Sequence, residues 1–482
     1  MRRVSAIEMA LLDRESPREP NHCGAVVLAQ GRRDSGEPVT PAQLVDGIAQ
    51  SIRKATRLRR RLTRPGLDVD RNYWIADPRL DLDFHVRVHT LTGPGTWTQL
   101  CEKVSEIMSG RLDLRRPPWQ LHIVDGLDNV AGVGSGGFAL VAKVHQAAIS
   151  QRYGMDLLSL ITSINPSASE RSPVSREWLR RLILTSPMRQ PPGVSDLSRR
   201  RAWAPSRPGS GGRTPSRAGR WYRHSDQTFV VPTTRFSATG GSDRLAYAMF
   251  LQLADVELVR RLVGGATVSD VILAVVGGAL RRYLSAHNEL PEASLVAAAP
   301  EGLRVTAKFG ADPGVSQCVR VALRTDIAHD ATRLSAIVAA TGPASAPLDD
   351  ATDQRLAALS EAAPGQLLGA SLRDAAESVV RGEDSALANT VVSYQPGPRV
   401  PLFVQGCEVV AAYGLGTVYD GSGPFHSVTT YRDGLTISVL ADRDTMPDIG
   451  FYLTCLRESF ASLRDAAPAR SAEGSDLRSA GR

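Results

Sequence analysis

The stretch FALVAKVHQAAISQRYGMDLLSL, residues 138–160, decides how the rest of the chain is read. It opens behind the glycine-rich turn GVGSGG (132–137) as a short apolar run. Ala139, Val141 and Val144 alternate imperfectly with Lys143, which is a strand pattern. The run stops at the polar pair His145-Gln146, and Met155, Leu157, Leu158 and Leu160 resume it at helical spacing. A strand that ends on a polar pair and turns into a helix can hold a reacting side chain rigidly at a cleft.

This pattern resembles the His-His-x-x-x-Asp-Gly motif of the acyl-CoA-dependent acyltransferases built on the chloramphenicol acetyltransferase fold. His145 matches the first histidine, whereas Gln146 stands at the second, Ser150 at the aspartate and Gln151 at the glycine. In that motif the second histidine is the general base that takes the proton from the acceptor hydroxyl. Imidazole suits the task because its unperturbed pKa, roughly 6.5, lies near neutrality. The Gln146 amide has no titration in that range. The motif aspartate usually holds the loop through an ion pair, which the Ser150 hydroxyl imitates only in part. Glycine adopts positive φ freely, and Gln151 would be strained there. The nearest substitute base is His145, which in an extended strand points opposite to Gln146. A second reading of His145 is a hydrogen-bonded residue that steadies the loop. His426, at the start of a late strand, reads either as a cleft residue or as an ordinary partly buried histidine.

Other segments extend the likeness. ESPREPNHCG (15–24), LRRRL (58–62), YWIADP (73–78), LDFHV (82–86), RRPPWQLHIVDGL (115–127) and FALVAKVH (138–145) follow one another as in the bacterial wax ester synthase/diacylglycerol acyltransferase family. Trp119, after two prolines, corresponds to that family's Pro-Leu-Trp motif. Ser269-Asp270 stands where the family has Asn-Asp. Asn389 and Ser393 match its Asn-x-x-x-Ser-Asn-Val-Pro-Gly-Pro segment, with Tyr394 replacing the second asparagine. The resemblance implies an α/β fold of two chloramphenicol acetyltransferase-like domains, each a mixed sheet packed with helices, with a cleft between them. It implies an O-acyltransferase that uses fatty acyl-CoA as co-substrate, without a bound cofactor. The acceptor would be diacylglycerol or a long-chain alcohol. The altered motif implies weak turnover, or none in a homologue that only binds lipid or acyl-CoA or assists an active partner.

Composition fits this reading. At 482 residues the chain exceeds one ordinary core. Its boundaries read as domains over 1–165 and 244–465, a linker over 166–243 and a tail over 466–482. The five cysteines form no CxxC pair, which fits a reducing cytoplasm and argues against a zinc site. No N-terminal apolar h-region marks a signal peptide, and no apolar run approaches the ~20 residues of a membrane span. The net charge of +7 is concentrated between Arg171 and His224, which carry thirteen Arg, no Lys and two acids. That Ser/Pro/Gly-rich stretch reads as a solvated linker or as a segment that meets anionic lipid at a membrane or lipid-droplet surface. The helix around Trp178–Leu184 reads either as an interfacial helix at the inner face of the membrane or as an inter-domain packing helix. Net positive charge concentrated in a linker argues against nucleic acid as a partner.

Several local elements carry their own signals. Thr40 caps a helix over 41–54, and Thr267 with Asp270 caps an apolar helix that begins nearby. Leu82, Phe84, Val86 and Val88 alternate with polar residues as a strand, which puts His85 and His89 on a solvated face. Asp433-Gly434 reads as the turn of a late hairpin.

Overall fold

A computed structural model describes residues 2–4, 6–53, 55–63, 72–149, 161–164, 231–300, 318–341 and 388–467. Ser150, Gln151, the helix expected around Trp178 and the Arg-rich segment lie outside the described residues.

The motif strand, Gly137–His145, is buried along its whole length. It lies between Trp119–Leu127 and His22–Arg33, antiparallel to both. Because both faces are covered, it carries a nearly continuous apolar run, which explains the imperfect alternation. The sheet has seven strands in the order Val86–Thr90, Trp119–Leu127, Gly137–His145, His22–Arg33, Cys407–Leu415, Phe403–Val404 and Thr162–Ser163. Its fifth strand, here called the crossing strand, comes from far along the chain and pairs Gly414 with Ala25 and Ala412 with Val27. A division of the sequence near 166–243 is therefore not a division of the sheets.

The second sheet has six strands, in the order Cys318–Ala322, Val296–Pro300, Thr390–Gln395, Phe425–Tyr431, Gly434–Asp442 and Arg244–Gln252. Both large sheets mix parallel and antiparallel neighbours. The fold is a mixed α/β one of two sheet-and-helix domains. One core packs the helix Pro41–Arg53 against the first sheet through Leu44, Ile48 and Ile52. A second packs the helix Val268–Ala286, apolar nearly all round, against the second sheet. A third lies between the domains and joins Val26, Leu28 and Val141 to Ala246, Ala248 and Leu440. Among the described residues no helix is long and apolar enough to cross a membrane.

The helix Trp97–Ser109 joins the domains in a different way. It starts from a Thr96–Gln99 capping box. Its far side meets Arg244–Gln252, an edge strand whose N–H groups lack a neighbouring strand. Ser105 Oγ accepts from the Ala246 N–H at 2.8 Å, and Ser109 Oγ accepts from the Arg244 N–H at 2.8 Å. Four helical residues rise ~6 Å, and two strand residues rise ~6.7 Å. Hydroxyls four apart therefore stay in step with N–H groups two apart.

Two local expectations are corrected. Leu82–His85 is a helical turn, and the strand is Val86–Thr90, because Asp81 caps the turn by accepting from the Phe84 N–H at 3.2 Å. His85 is consequently buried rather than solvated, stacked 4.4 Å from the Trp119 ring. The late hairpin pairs Tyr431 with Gly434, so its turn is Arg432-Asp433, with Arg432 taking the left-handed conformation at φ 51°.

Candidate active site

The motif strand delivers His145 and Gln146 to a corner where three segments meet. The Gln146 N–H donates to the Asn21 carbonyl at 2.9 Å, and the His145 N–H to the Pro118 carbonyl at 3.0 Å. Trp119, next to Pro118, is fully buried and donates from Nε1 to the Leu58 carbonyl at 2.7 Å, which fixes that wall of the corner. Its role here is packing, one residue from the atom that holds His145.

The side chains of the pair leave in different directions. Gln146 is buried, and its amide donates to Thr417 Oγ1. Its Oε1 lies 3.0 Å from the Tyr419 hydroxyl, which is also 2.9 Å from Asn21 Oδ1. Thr417 in turn donates to the His22 carbonyl at 2.8 Å. The Arg14 guanidinium covers the Tyr419 ring at 4.0 Å. Gln146 thus ties the loop 14–22 to the segment that follows the crossing strand. Burial pushes the Tyr419 phenol up to about 12, so it stays protonated near neutrality.

His145 is equally engaged. Its Nδ1 accepts from the Ala147 N–H at 3.1 Å, which puts the ring proton on Nε2. Nε2 lies 3.0 Å from Glu15 Oε2, in a close contact too bent for a full hydrogen bond. Burial would raise the Glu15 carboxyl, but His145 and Arg111 outweigh it and hold it below the usual carboxylate range. Arg111 reaches Glu15 Oε1 from Nη2 at 2.9 Å. The lone pair that a general base needs is therefore held by a backbone amide.

Two further titratable groups lie behind the corner, and both serve the end of the helix Trp97–Ser109. His22 Nε2 donates to the Met108 carbonyl at 2.8 Å; burial, then Lys143, keeps its imidazole well below its ordinary value. Burial pushes the Lys143 ammonium down to about 7, and it donates to the Ile107 carbonyl at 2.6 Å and to the Gly110 carbonyl. His22 serves as a neutral donor, whereas a charged Lys143 is favoured at a helix C-terminus. Neither group is directed at Gln146.

The marked residues of the other domain do not join this corner. Asp270 Oδ2 accepts from the Thr267 N–H at 2.8 Å, and its Oδ1 from Thr341 at 2.7 Å, so it anchors a helix. Ser269 is buried beside it. Asn389 accepts from the Val296 N–H at 3.0 Å and donates to the Pro232 carbonyl at 2.8 Å. Ser393 is fully buried on the face between the sheets. His426 is no cleft residue: it points into the core of its own domain, 2.6 Å from the Tyr452 hydroxyl, and burial pushes it down to about 4. His89 lies 2.9 Å from His122 rather than in open solvent. Among the described residues no group of three or more His, Cys, Asp or Glu is placed to hold a metal.

Residues 4–272 match the wax ester synthase/diacylglycerol acyltransferase catalytic domain, and residues 317–464 match the C-terminal domain of the same family. The chain belongs to the wax ester synthase/diacylglycerol acyltransferase family. A probable diacylglycerol O-acyltransferase of Mycobacterium tuberculosis, tgs2, is 27% identical over 462 residues, covering 94% of this chain and 96% of that one. A putative diacylglycerol O-acyltransferase of the same organism is 29% identical over 416 residues, 82% and 83% of the two chains. Among solved structures, the wax ester synthase/diacylglycerol acyltransferase from Marinobacter aquaeolei aligns with a TM-score of 0.66 at 21% identity, covering 96% of this chain and 99% of that one. A trichothecene 15-O-acetyltransferase from Fusarium sporotrichioides aligns at 0.53 and 12% identity, covering 96% and 94%. These likenesses fix the fold.

Within this family member, motif reading overlooked Glu15, Asn21, Thr417 and Tyr419, which complete the corner. Glu15 and Asn21 lie in ESPREPNHCG, one of the matching segments, so a signal was present. Thr417 and Tyr419 carry no signal of their own, because only the crossing strand brings them there.

Proposed function

We propose that this chain is an acyl-CoA-dependent O-acyltransferase of the diacylglycerol acyltransferase/wax ester synthase type, with slow turnover. It would move a fatty acyl group from the thioester of acyl-CoA to the hydroxyl of diacylglycerol or a long-chain alcohol, releasing free CoA. The substrate class rests on the family and its named relatives. The observation that carries the slow turnover is the Gln146 amide, bonded to Thr417 and Tyr419 at the base position. Loss of a positioned general base reduces a rate by ~10²–10⁴, and orientation of the two substrates supports the remainder. A second reading, a homologue that binds acyl-CoA or lipid without turning it over, is favoured by one fact. Both ring nitrogens of His145 are occupied, one by the Ala147 N–H and one against Glu15.

Free-thiol release from fatty acyl-CoA with diacylglycerol tests this directly. The parent chain should be very slow and Gln146→His only partly faster, because Ser150 and Gln151 still lack the motif's anchor and turn. The triple variant Gln146→His, Ser150→Asp, Gln151→Gly should exceed the single change well beyond additivity. Robust turnover in the parent, abolished in a folded His145→Ala variant, would show that His145 is the working base and overturn the proposal. Bound acyl-CoA with no turnover even in the triple variant would favour the second reading.

A further inference from the structure

Two hydroxyls in the wall between the domains have no partner. Ser393 is 0% exposed and Ser427 is 1% exposed, and neither Oγ makes a hydrogen bond among the described residues. They sit directly opposite each other on the parallel strands Thr390–Gln395 and Phe425–Tyr431. Both share the sheet face of Val391 and Phe425, which belong to the core between the domains.

Their neighbours on that face are satisfied. Ser438, paired with Ser427 across the next strand, donates to the Gly414 carbonyl at 2.6 Å. Thr429, two residues beyond Ser427, donates to the Ala412 carbonyl at 3.0 Å. The crossing strand therefore answers two hydroxyls of this row and leaves two unanswered. A buried hydroxyl without a partner is unfavourable, and two in register call for an explanation outside the chain's own bonds.

Adjacent strands lie ~4.8 Å apart, so two hydroxyls in register can both reach a single oxygen placed between them. An oxygen that accepts from both satisfies the two O–H groups at once. A carbonyl oxygen needs donors only. A water accepting from both would also have to place its own two hydrogens. Beyond that row of hydroxyls the face is apolar, with Ala298, Val391, Phe425 and Leu440. The ligand is thus a carbonyl carried on an otherwise apolar or slender chain. The crossing strand ends at Leu415, and the segment after it carries Thr417 and Tyr419 to Gln146, so the shelf and the motif corner lie along one stretch of backbone.

We infer that Ser393 and Ser427 form a buried shelf that binds a substrate carbonyl away from the reacting bond. The oxygen would come from an ester of the acylglycerol or an amide of the pantetheine arm of acyl-CoA. This rests on the acyltransferase reading above. No covalent step is involved; the shelf positions the substrate.

Binding of three ligands to the full chain tests it: a long-chain acyl-CoA, diacylglycerol in mixed micelles, and its diether analogue, which lacks the carbonyls. If the oxygen is an acylglycerol ester, the parent should prefer the ester to the diether by about tenfold, the size expected for a buried hydrogen bond. Ser393→Ala and Ser427→Ala should then collapse that preference while leaving the diether affinity unchanged. If it is a pantetheine amide, the same variants should instead weaken acyl-CoA about tenfold and leave the ester-to-diether ratio alone. In either case the ligand-free melting temperature should stay level or rise, because an unpaired hydroxyl is removed, whereas Ser438→Ala should lower it. Serine variants that bind all three ligands within twofold of the parent overturn the inference alone. A lowered ligand-free melting temperature in them does the same, because it shows that the hydroxyls bond within the structure. A parent that binds neither acyl-CoA nor diacylglycerol overturns the acyltransferase reading and this inference with it.

Discussion

Two seams join the halves of this chain, and they are built from different chemistry. At the motif corner, side chains bond to side chains: Gln146 to Thr417 and Tyr419, and Tyr419 to Asn21. Along the helix Trp97–Ser109, side chains bond to backbone, with Ser105 and Ser109 accepting from the edge-strand N–H groups of Ala246 and Arg244. The difference bears on what each seam tolerates. In the corner both partners can vary, so a glutamine is accommodated at an imidazole position as long as its amide finds bonds. In the helix seam one partner is main chain and is present whatever the sequence, so only the hydroxyls can be lost. Gln146 sits in the first kind of seam.

The largest expected effect lies where the seams meet. Arg244 donates from its backbone to Ser109, from Nη1 to Asp442 at 2.6 Å and from Nη2 to the Arg18 carbonyl at 2.6 Å. Arg18 lies in the loop that leads to Asn21, so this one residue touches both seams. Arg244→Met leaves the buried Asp442 carboxylate without its cation, which costs about 3–5 kcal/mol. Urea unfolding should show that loss. A variant with the parent's midpoint would mean that the seams have no common post.

Acid separates the hydroxyl seam, which does not titrate, from the buried histidines outside it, which do. His426 has its folded pKa lowered from 6.5 to about 4 by burial. Below about pH 6.5 the unfolded chain binds a proton that the folded chain refuses, so stability present at pH 7 is lost as the pH falls toward 4. Between pH 7 and pH 5 this one histidine contributes a loss of about 2 kcal/mol. His22, lowered in the same direction, adds to it. The urea midpoint of His426→Gln should therefore fall less than the parent's between these two pH values, while that of Ser105→Ala should fall by the same amount as the parent's. Equal falls in all three chains would remove His426 from the account.

How much of this was legible in the sequence follows the same divide. The motif strand and the capped helices were readable because apolar periodicity and capping residues act locally, as with Thr40 and with Thr267 and Asp270, whereas the two-domain α/β plan came from the family resemblance. His145 and Gln146 were readable as a pair because a matching pattern marks them. The sequence could not reveal that Cys407–Leu415 enters the first sheet, since its partner His22–Arg33 lies near the opposite end of the chain. His85 was misread because one Asp81 cap turned a strand pattern into a helical turn. Ser105 and Ser109 carry no signal of their own in the sequence. What they bond to is an edge strand that begins at Arg244.

That hidden role of Ser105 sets the smallest test. Its hydroxyl donates to the Cys101 carbonyl at 2.7 Å and accepts from the Ala246 N–H at 2.8 Å. Both Ser105 and Ala246 are buried, so in Ser105→Ala no water replaces the lost acceptor. An unpaired buried N–H costs about 1–3 kcal/mol. Alanine returns a few tenths of a kcal/mol through its better helix propensity, which leaves a net loss of about 1–2 kcal/mol. Thr417→Val removes one hydroxyl from the corner instead, the one that meets the Gln146 amide and the His22 carbonyl. There one of the two partners is a side chain, the Gln146 amide, which can turn to bond anew, so the cost should be smaller, about 1 kcal/mol or less. Urea midpoints of the two variants rank the seams. If Thr417→Val proves the more damaging, the corner is the rigid seam, and its tolerance of a glutamine needs another explanation.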